Sequence, residues 1–202
     1  MTPQTPRILL ITDAGYADET IVFAIEAAAR VLPPGAFAVQ LRERGRQGRA
    51  EWGRVLRDVT RGVGAALIVN GDVRLARDLG AEGVHFGGGS PRSLLASGEG
   101  LWRSMAAHTD ADVVDAKAAG LDAVLVSPIF DSPGKGAGRG VAALERAALL
   151  AEGTLAVLAL GGVGLEHVGA CVEAGASGVA GIRALLGAKD PGRVAAAMWS
   201  AM

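Results

Sequence analysis

Three short stretches share one plan: Gly80-Ala81-Glu82-Gly83-Val84, Gly120-Leu121-Asp122-Ala123-Val124 and Gly175-Ala176-Ser177-Gly178-Val179. Each follows an alanine-rich stretch of helical character, and its first glycine can take the left-handed conformation that closes a helix. The chain then turns at once into an apolar, β-prone run. A unit of helix, glycine stop and strand that recurs along the chain constrains the fold strongly. It favours a closed ring of similar strand–helix units over a doubly wound open sheet.

The rest of the chain fits that plan. Short apolar runs occur at Ile8–Thr12, Ala36–Leu41, Ala65–Asn70, Gly83–Phe86, Trp102–Ala107, Ala123–Ser127, Ala156–Leu160 and Gly178–Gly181. They are apolar throughout rather than alternating, as parallel strands covered on both faces are. Asp18–Arg30, Trp52–Arg61, Val141–Ala151 and Leu165–Ala174 are the clearest helices between them. The expected fold is an α/β, single (β/α)₈ TIM barrel in one domain over 1–202, with a core of about 7–187 and a C-terminal helix of about 190–202.

Composition narrows the function classes. A formal charge of −1 gives no global attraction to nucleic acid or to a membrane. One cysteine, Cys171, excludes an internal disulfide framework and suits a reducing compartment. Met1–Arg7 leads directly into the first strand, without the pattern of a signal peptide. The expectation is a cytoplasmic protein with no nucleic-acid or membrane partner; homo-oligomerisation stays open.

In a barrel the strand ends meet on one face, and that face carries the site. Here they supply Thr12, Asp13, Gln40, Arg42, Arg44, Asn70, Asp72, His85, His108 and Ser127. Gly161-Gly162 and Gly181-Ile182-Arg183 end the last two strands, where barrels often bind phosphate on backbone N–H groups and a short helix N-terminus. Turns also want glycine, and Arg183 either faces this cup or points to solvent. Between strand six and its helix, Ile129–Gly140 is rich in glycine around Lys135. Ordering so many glycines costs entropy, which predicts a mobile lid that closes over an anion with Lys135 at its tip.

Val39-Gln40-Leu41-Arg42-Glu43, Val69-Asn70, Gly83-Val84-His85-Phe86-Gly87, His108-Thr109, the Pro128–Lys135 loop, Leu160-Gly161-Gly162-Val163 and Ala174-Gly175-Ala176-Ser177-Gly178-Val179-Ala180 occur in this order. In this the chain resembles the thiamine phosphate synthase family, together with its TenI-type thiazole tautomerase relatives. The resemblance runs from Ile8 to about Gly187. It implies a (β/α)₈ barrel that binds a small phosphorylated heterocycle, a thiazole phosphate, at Gly161, Gly162, Gly181, Ile182 and Arg183. Gln40, Arg42, Arg44, Asn70, Ser127 and Ser132 are the expected substrate contacts, with His108 and Lys135 as catalytic candidates.

Departures from the family pattern divide the functional reading. The family's Asn-Asp pair is Asn70-Gly71 here, and Gly87, Gly88, Gly89 and Ser90 follow strand four without a carboxylate. The two missing aspartates are those that the resemblance assigns to Mg²⁺, a hard cation that wants carboxylate oxygens. Asp72 and Asp131 are the nearest substitutes, and no residue is assigned to a metal. A synthase joins hydroxymethylpyrimidine diphosphate to thiazole phosphate and uses Mg²⁺. A TenI-like enzyme aromatises a thiazole carboxylate phosphate by proton transfer and needs no cofactor. The missing carboxylates favour the TenI-like reading, with the synthase as alternative and a non-catalytic phosphate-binding barrel as a third.

The other histidines, the arginines and the cysteine carry milder expectations. His108 is either the acid–base group or a bystander beside a helix cap at Thr109 or Asp110. His85 reads as framework, His167 as solvated helix surface, and Cys171 as core. Arg42–Arg49 holds four arginines and reads as a mobile basic loop.

Overall fold

The computed structural model describes residues 4–43, 45–131 and 137–202. Its eight strands are β1 (Ile8–Ile11), β2 (Phe37–Leu41), β3 (Ala66–Asn70), β4 (Gly83–Phe86), β5 (Trp102–Ala107), β6 (Ala123–Val126), β7 (Ala156–Leu160) and β8 (Gly178–Gly181). They pair in parallel in chain order, and β8 returns to β1, with Ile8 opposite Val179, to close a barrel. Helices α1 (Asp18–Ala29), α2 (Arg49–Val63), α3 (Val73–Asp78), α4 (Arg92–Ser97), α5 (Asp110–Ala118), α6 (Ala142–Ala151), α7 (Val168–Glu173), α8 (Arg183–Leu186) and α9 (Pro191–Ser200) alternate with the strands. The fold is the expected (β/α)₈ barrel.

Continuous apolar strands follow from the two shells they separate. Leu9, Ile11, Ala38, Ile68, Leu125, Leu158 and Ala180 point inward and fill the barrel. Their neighbours Leu10, Val39, Val69, Val84 and Val124 point outward against the helices. With a period of two, both faces must be apolar. Trp102 plugs the N-terminal end of the barrel, and Gly83 makes its room: a Cβ there would lie 3.1 Å from the indole.

The three-fold sequence repeat is a hydrogen-bonded module. Gly80, Gly120 and Gly175 take positive φ of 59°, 63° and 90°. The following N–H groups of Ala81, Leu121 and Ala176 reach back to the carbonyls of Ala76, Ala116 and Cys171, which closes each helix in a Schellman pattern. The third residue then grips the preceding strand twice. The N–H groups of Glu82, Asp122 and Ser177 donate to Leu67, Arg103 and Val157, whose own N–H groups donate to the Glu82, Asp122 and Ser177 side chains. An oxygen-bearing side chain at that position is therefore part of the strand's start.

Two helices differ from the sequence expectation. α2 begins at Arg49, three residues before the predicted start, because Gly48 at φ 67° turns the chain into it. The stretch expected as one helix from Leu165 opens with a 3₁₀ turn, Leu165–His167, before α7. Cys171 is buried in the core as expected, and burial pushes its thiol up to about 11. Among the described residues, no helix is long and apolar enough to cross a membrane.

Candidate active site

The C-terminal strand ends open into a cleft of about 450 Å³ beside β7 and β8. Gly161, Gly162, Gly181, Ile182 and Arg183 line it together, as do Asp13, Arg42 and Asp131. The N–H groups of Gly162, Val163 and Ile182 donate to no acceptor among the described residues. Arg183 begins the four-residue helix α8 and is exposed at the rim. Its guanidinium has no ion-pair partner among the described residues. Backbone N–H groups without an acceptor among the described residues, beside an exposed guanidinium, suit a phosphate dianion.

Glycine at 161 and 162 is required by close approach as well as by conformation. Their φ values are 93° and 66°. A Cβ on Gly161 would lie 2.8 Å from Pro128 Cα, and one on Gly162 would lie 2.6 Å from the Asp131 carbonyl. The segment after β6 packs directly on this turn, with Ile129 N–H donating to Leu160 O and Phe130 N–H to Gly161 O.

This packing corrects the lid expectation in part. Arg139 and Gly140 N–H groups donate to the Pro128 and Ile129 carbonyls, and Gly138 N–H donates to Asp131 Oδ1 at 2.7 Å. A Cβ on Gly138 would lie 2.5 Å from the Ile129 carbonyl, so that glycine serves contact between the loop's two arms rather than freedom. The base of Ile129–Gly140 is thus two hydrogen-bonded arms, 129–131 and 138–140. Ser132 and Lys135 lie outside the described residues, as does Arg44.

The basic loop after β2 is likewise anchored rather than mobile. Arg42 pairs with Asp13 at 2.7 Å at the mouth of the cleft. Arg46 grips Asp18 with both Nη atoms and stacks over Trp52. Arg49 donates to the Asn70 carbonyl and lies 3.7 Å from Asp72.

Inside the mouth, Asn70 Nδ2 donates to Gln40 Oε1 at 3.0 Å. Gln40 is buried, and its Nε2 has no acceptor among the described residues. His85 is buried too, with Nδ1 2.8 Å from Ser104 Oγ, as befits a framework residue.

His108 stands beside a helix cap and is held at Ser127. Thr109 and Asp112 form a reciprocal capping box at the start of α5. His108 is exposed, and its Nδ1 lies 3.0 Å from the Ser127 carbonyl. A carbonyl only accepts, so Nδ1 is the donor in this contact. Ser127 thus meets His108 through its backbone and, at 3.4 Å, through its hydroxyl.

His167 is the residue that sequence reasoning missed. It is not solvated surface: its ring stacks on Phe130, with centroids 3.8 Å apart and planes 13° apart. Its Nδ1 lies 3.0 Å from Gly162 O and 3.2 Å from Gly164 N. The available signal was its place five residues after the Gly-Gly turn, with a glycine between to let the chain fold back.

Comparison with known proteins gives the family. The family model described as thiamine monophosphate synthase matches residues 8–185. A thiamine-phosphate synthase of Roseiflexus castenholzii is 36% identical over 193 residues, covering 91% of this chain and 82% of its own. One of Gloeobacter violaceus is 36% identical over 182 residues, covering 85% of this chain; the match spans 52% of that longer relative. Thiamine phosphate pyrophosphorylase from Pyrococcus furiosus superposes with a TM-score of 0.83, covering 96% of this chain and 94% of its own, at 23% identity, a likeness of fold. With its barrel, its strand-end motifs and a family match over nearly its whole length, the chain belongs to the thiamine monophosphate synthase family.

Proposed function

We propose that the chain is a transferase that joins a thiazole phosphate to hydroxymethylpyrimidine diphosphate, holding the thiazole phosphate in the β7–β8 cup. The observation that carries this reading is the cup: unpaired N–H groups of Gly162, Val163 and Ile182 beside Arg183 in one cleft. The relatives' names support synthase chemistry, which the sequence alone ranks second to the TenI-like reading.

The chain's own groups have definite tasks in that reaction. The cup holds the phosphate tail and so fixes where the thiazole ring lies. Gln40 Nε2, on a side chain held by Asn70 Nδ2, offers an amide hydrogen bond to the pyrimidine at the inner mouth. The thiazole nitrogen lone pair forms the new bond to the pyrimidine methylene carbon, while the bond from that carbon to the diphosphate oxygen breaks. Diphosphate leaves with the electron pair, and Arg42 at the cleft mouth faces its growing charge.

The residues present do not fit the family's Mg²⁺. Gly71 has no side chain, and Ser90 Oγ donates to the Gly87 carbonyl. The Asp72 carboxylate accepts from Leu75 N–H as a helix cap and faces Arg49. No group of three or more His, Cys, Asp or Glu among the described residues is arranged to hold a metal. No step is assigned to the ion.

His108 favours a second reading. An imidazole held through Nδ1 at the Ser127 carbonyl is what a TenI-like proton transfer needs. Purified protein given both synthase substrates, with Mg²⁺ or with chelator, should form thiamine phosphate, and calorimetry of the free protein should show no saturable Mg²⁺ binding at millimolar concentration. Aromatisation of the thiazole carboxylate phosphate without any thiamine phosphate would assign the TenI-like reaction instead. Saturable Mg²⁺ binding would overturn the ligand analysis.

A further inference from the structure

We infer that His167 is a positioning residue for the phosphate cup, donating from Nδ1 to the Gly162 carbonyl and thereby aiming the Val163 N–H into the cleft. The inference rests on the cup reading above. One nitrogen, Nδ1, lies between two peptide groups: Gly162 O at 3.0 Å and Gly164 N at 3.2 Å. It cannot serve both, because it donates in one tautomer and accepts in the other.

The two choices have opposite consequences for an anion. In a trans peptide the C=O and the following N–H point in opposite directions. Holding Gly162 O towards His167 sends the Val163 N–H away from the ring, to the side where Gly162, Val163 and Gly164 line the cleft. Gly164 N–H already points at Nδ1, so a bare Nδ1 would accept from it and meet the Gly162 oxygen lone pair to lone pair, which would release the Gly162–Val163 peptide. The anion-binding arrangement is therefore the one with hydrogen on Nδ1.

The surroundings lock the ring in place to do this. Phe130 stacks on one face, and Phe130 is itself tied to the turn through its N–H bond to Gly161 O. Glu166 Oε1 lies 3.6 Å from the same nitrogen, on the 3₁₀ turn. The Gly162 turn is thus held from the loop after β6 on one side and from the 3₁₀ turn on the other.

Two variants separate hydrogen bonding from stacking. His167→Phe keeps the ring on Phe130 and removes the donor; His167→Asn keeps a donor near the Nδ1 position and removes the stack. Titration with thiazole phosphate and, separately, with inorganic phosphate should show roughly three- to tenfold weaker binding for His167→Phe, the size of one hydrogen bond. His167→Asn should stay within about twofold of wild type. In ¹⁵N spectra of the wild type with phosphate, His167 Nδ1 should appear protonated. Equal affinity of folded His167→Phe and wild type, equal weakening of both variants, or a bare Nδ1 in the phosphate complex would each overturn the inference. If wild type itself binds neither probe, the cup reading falls, and the inference falls with it for that separate reason. Should His167→Phe fail to fold, the Asn variant and the ¹⁵N signature still decide.

Discussion

The Asp112 carboxylate shows how one residue serves both framework and site. Its Oδ2 accepts from the N–H groups of His108 and Thr109 and from the Thr109 hydroxyl, each at 2.9 Å. Burial works to raise its pKa, but the hydrogen bonds from His108 and Thr109 outweigh it and hold the carboxyl below its ordinary value. A carboxyl held low in the folded state stabilises above its unfolded value and loses that contribution as pH falls through the folded one. Asp112→Ala should cost about 1 kcal/mol, the worth of a helix cap. The mutant should also lose part of the wild type's stability decline in acid. Denaturant midpoints across pH 3–7 check both, and parallel curves for mutant and wild type would contradict the assignment. Because the same carboxylate fixes the His108 backbone, the substitution should also loosen the ring from Ser127.

At the scale of elements, the turns divide into those that sequence makes legible and those that it does not. Gly80, Gly120 and Gly175 could be read as helix stops because each needs only local conformation, and the structure gives all three positive φ. Gly138 could not be read correctly, since its reason is the Ile129 carbonyl nine residues earlier in the chain. His167 escaped for the same reason: its partners Phe130 and Gly162 come together only when β6 and β7 pair. The Arg42–Arg49 stretch looked mobile because its acceptors, Asp13 after β1, Asp18 on α1 and the Asn70 carbonyl on β3, are distant in sequence. Gly162 tests the distinction. Gly162→Ala would place a Cβ 2.7 Å from the Phe130 carbonyl at φ 66°. The left-handed conformation alone costs a side chain about 1–2 kcal/mol. The variant should retain the barrel by circular dichroism, melt lower and lose most of its phosphate affinity. Unchanged affinity would show that the turn is not the anion's seat.

Across the whole molecule, the barrel was readable because a repeated local unit and doubly buried strands leave few other closures. The placement of the candidate site residues was readable where they lay at strand ends: Gln40, Asn70, His108 and the two glycine turns stand at the C-terminal ends of their strands. The ring divides into two halves there. β7 and β8 present the phosphate cup, while β2 to β6 present the amides and His108, without a carboxylate cluster for a metal among the described residues. In the proposed reaction a phosphorylated thiazole sits with its phosphate in that cup. A crystal structure of the protein with thiazole phosphate tests it most directly. The predicted result is phosphate oxygens within hydrogen-bond distance of the Gly162, Val163 and Ile182 N–H groups, with Arg183 turned towards them. Phosphate bound elsewhere on the barrel, with this cup empty, would contradict it.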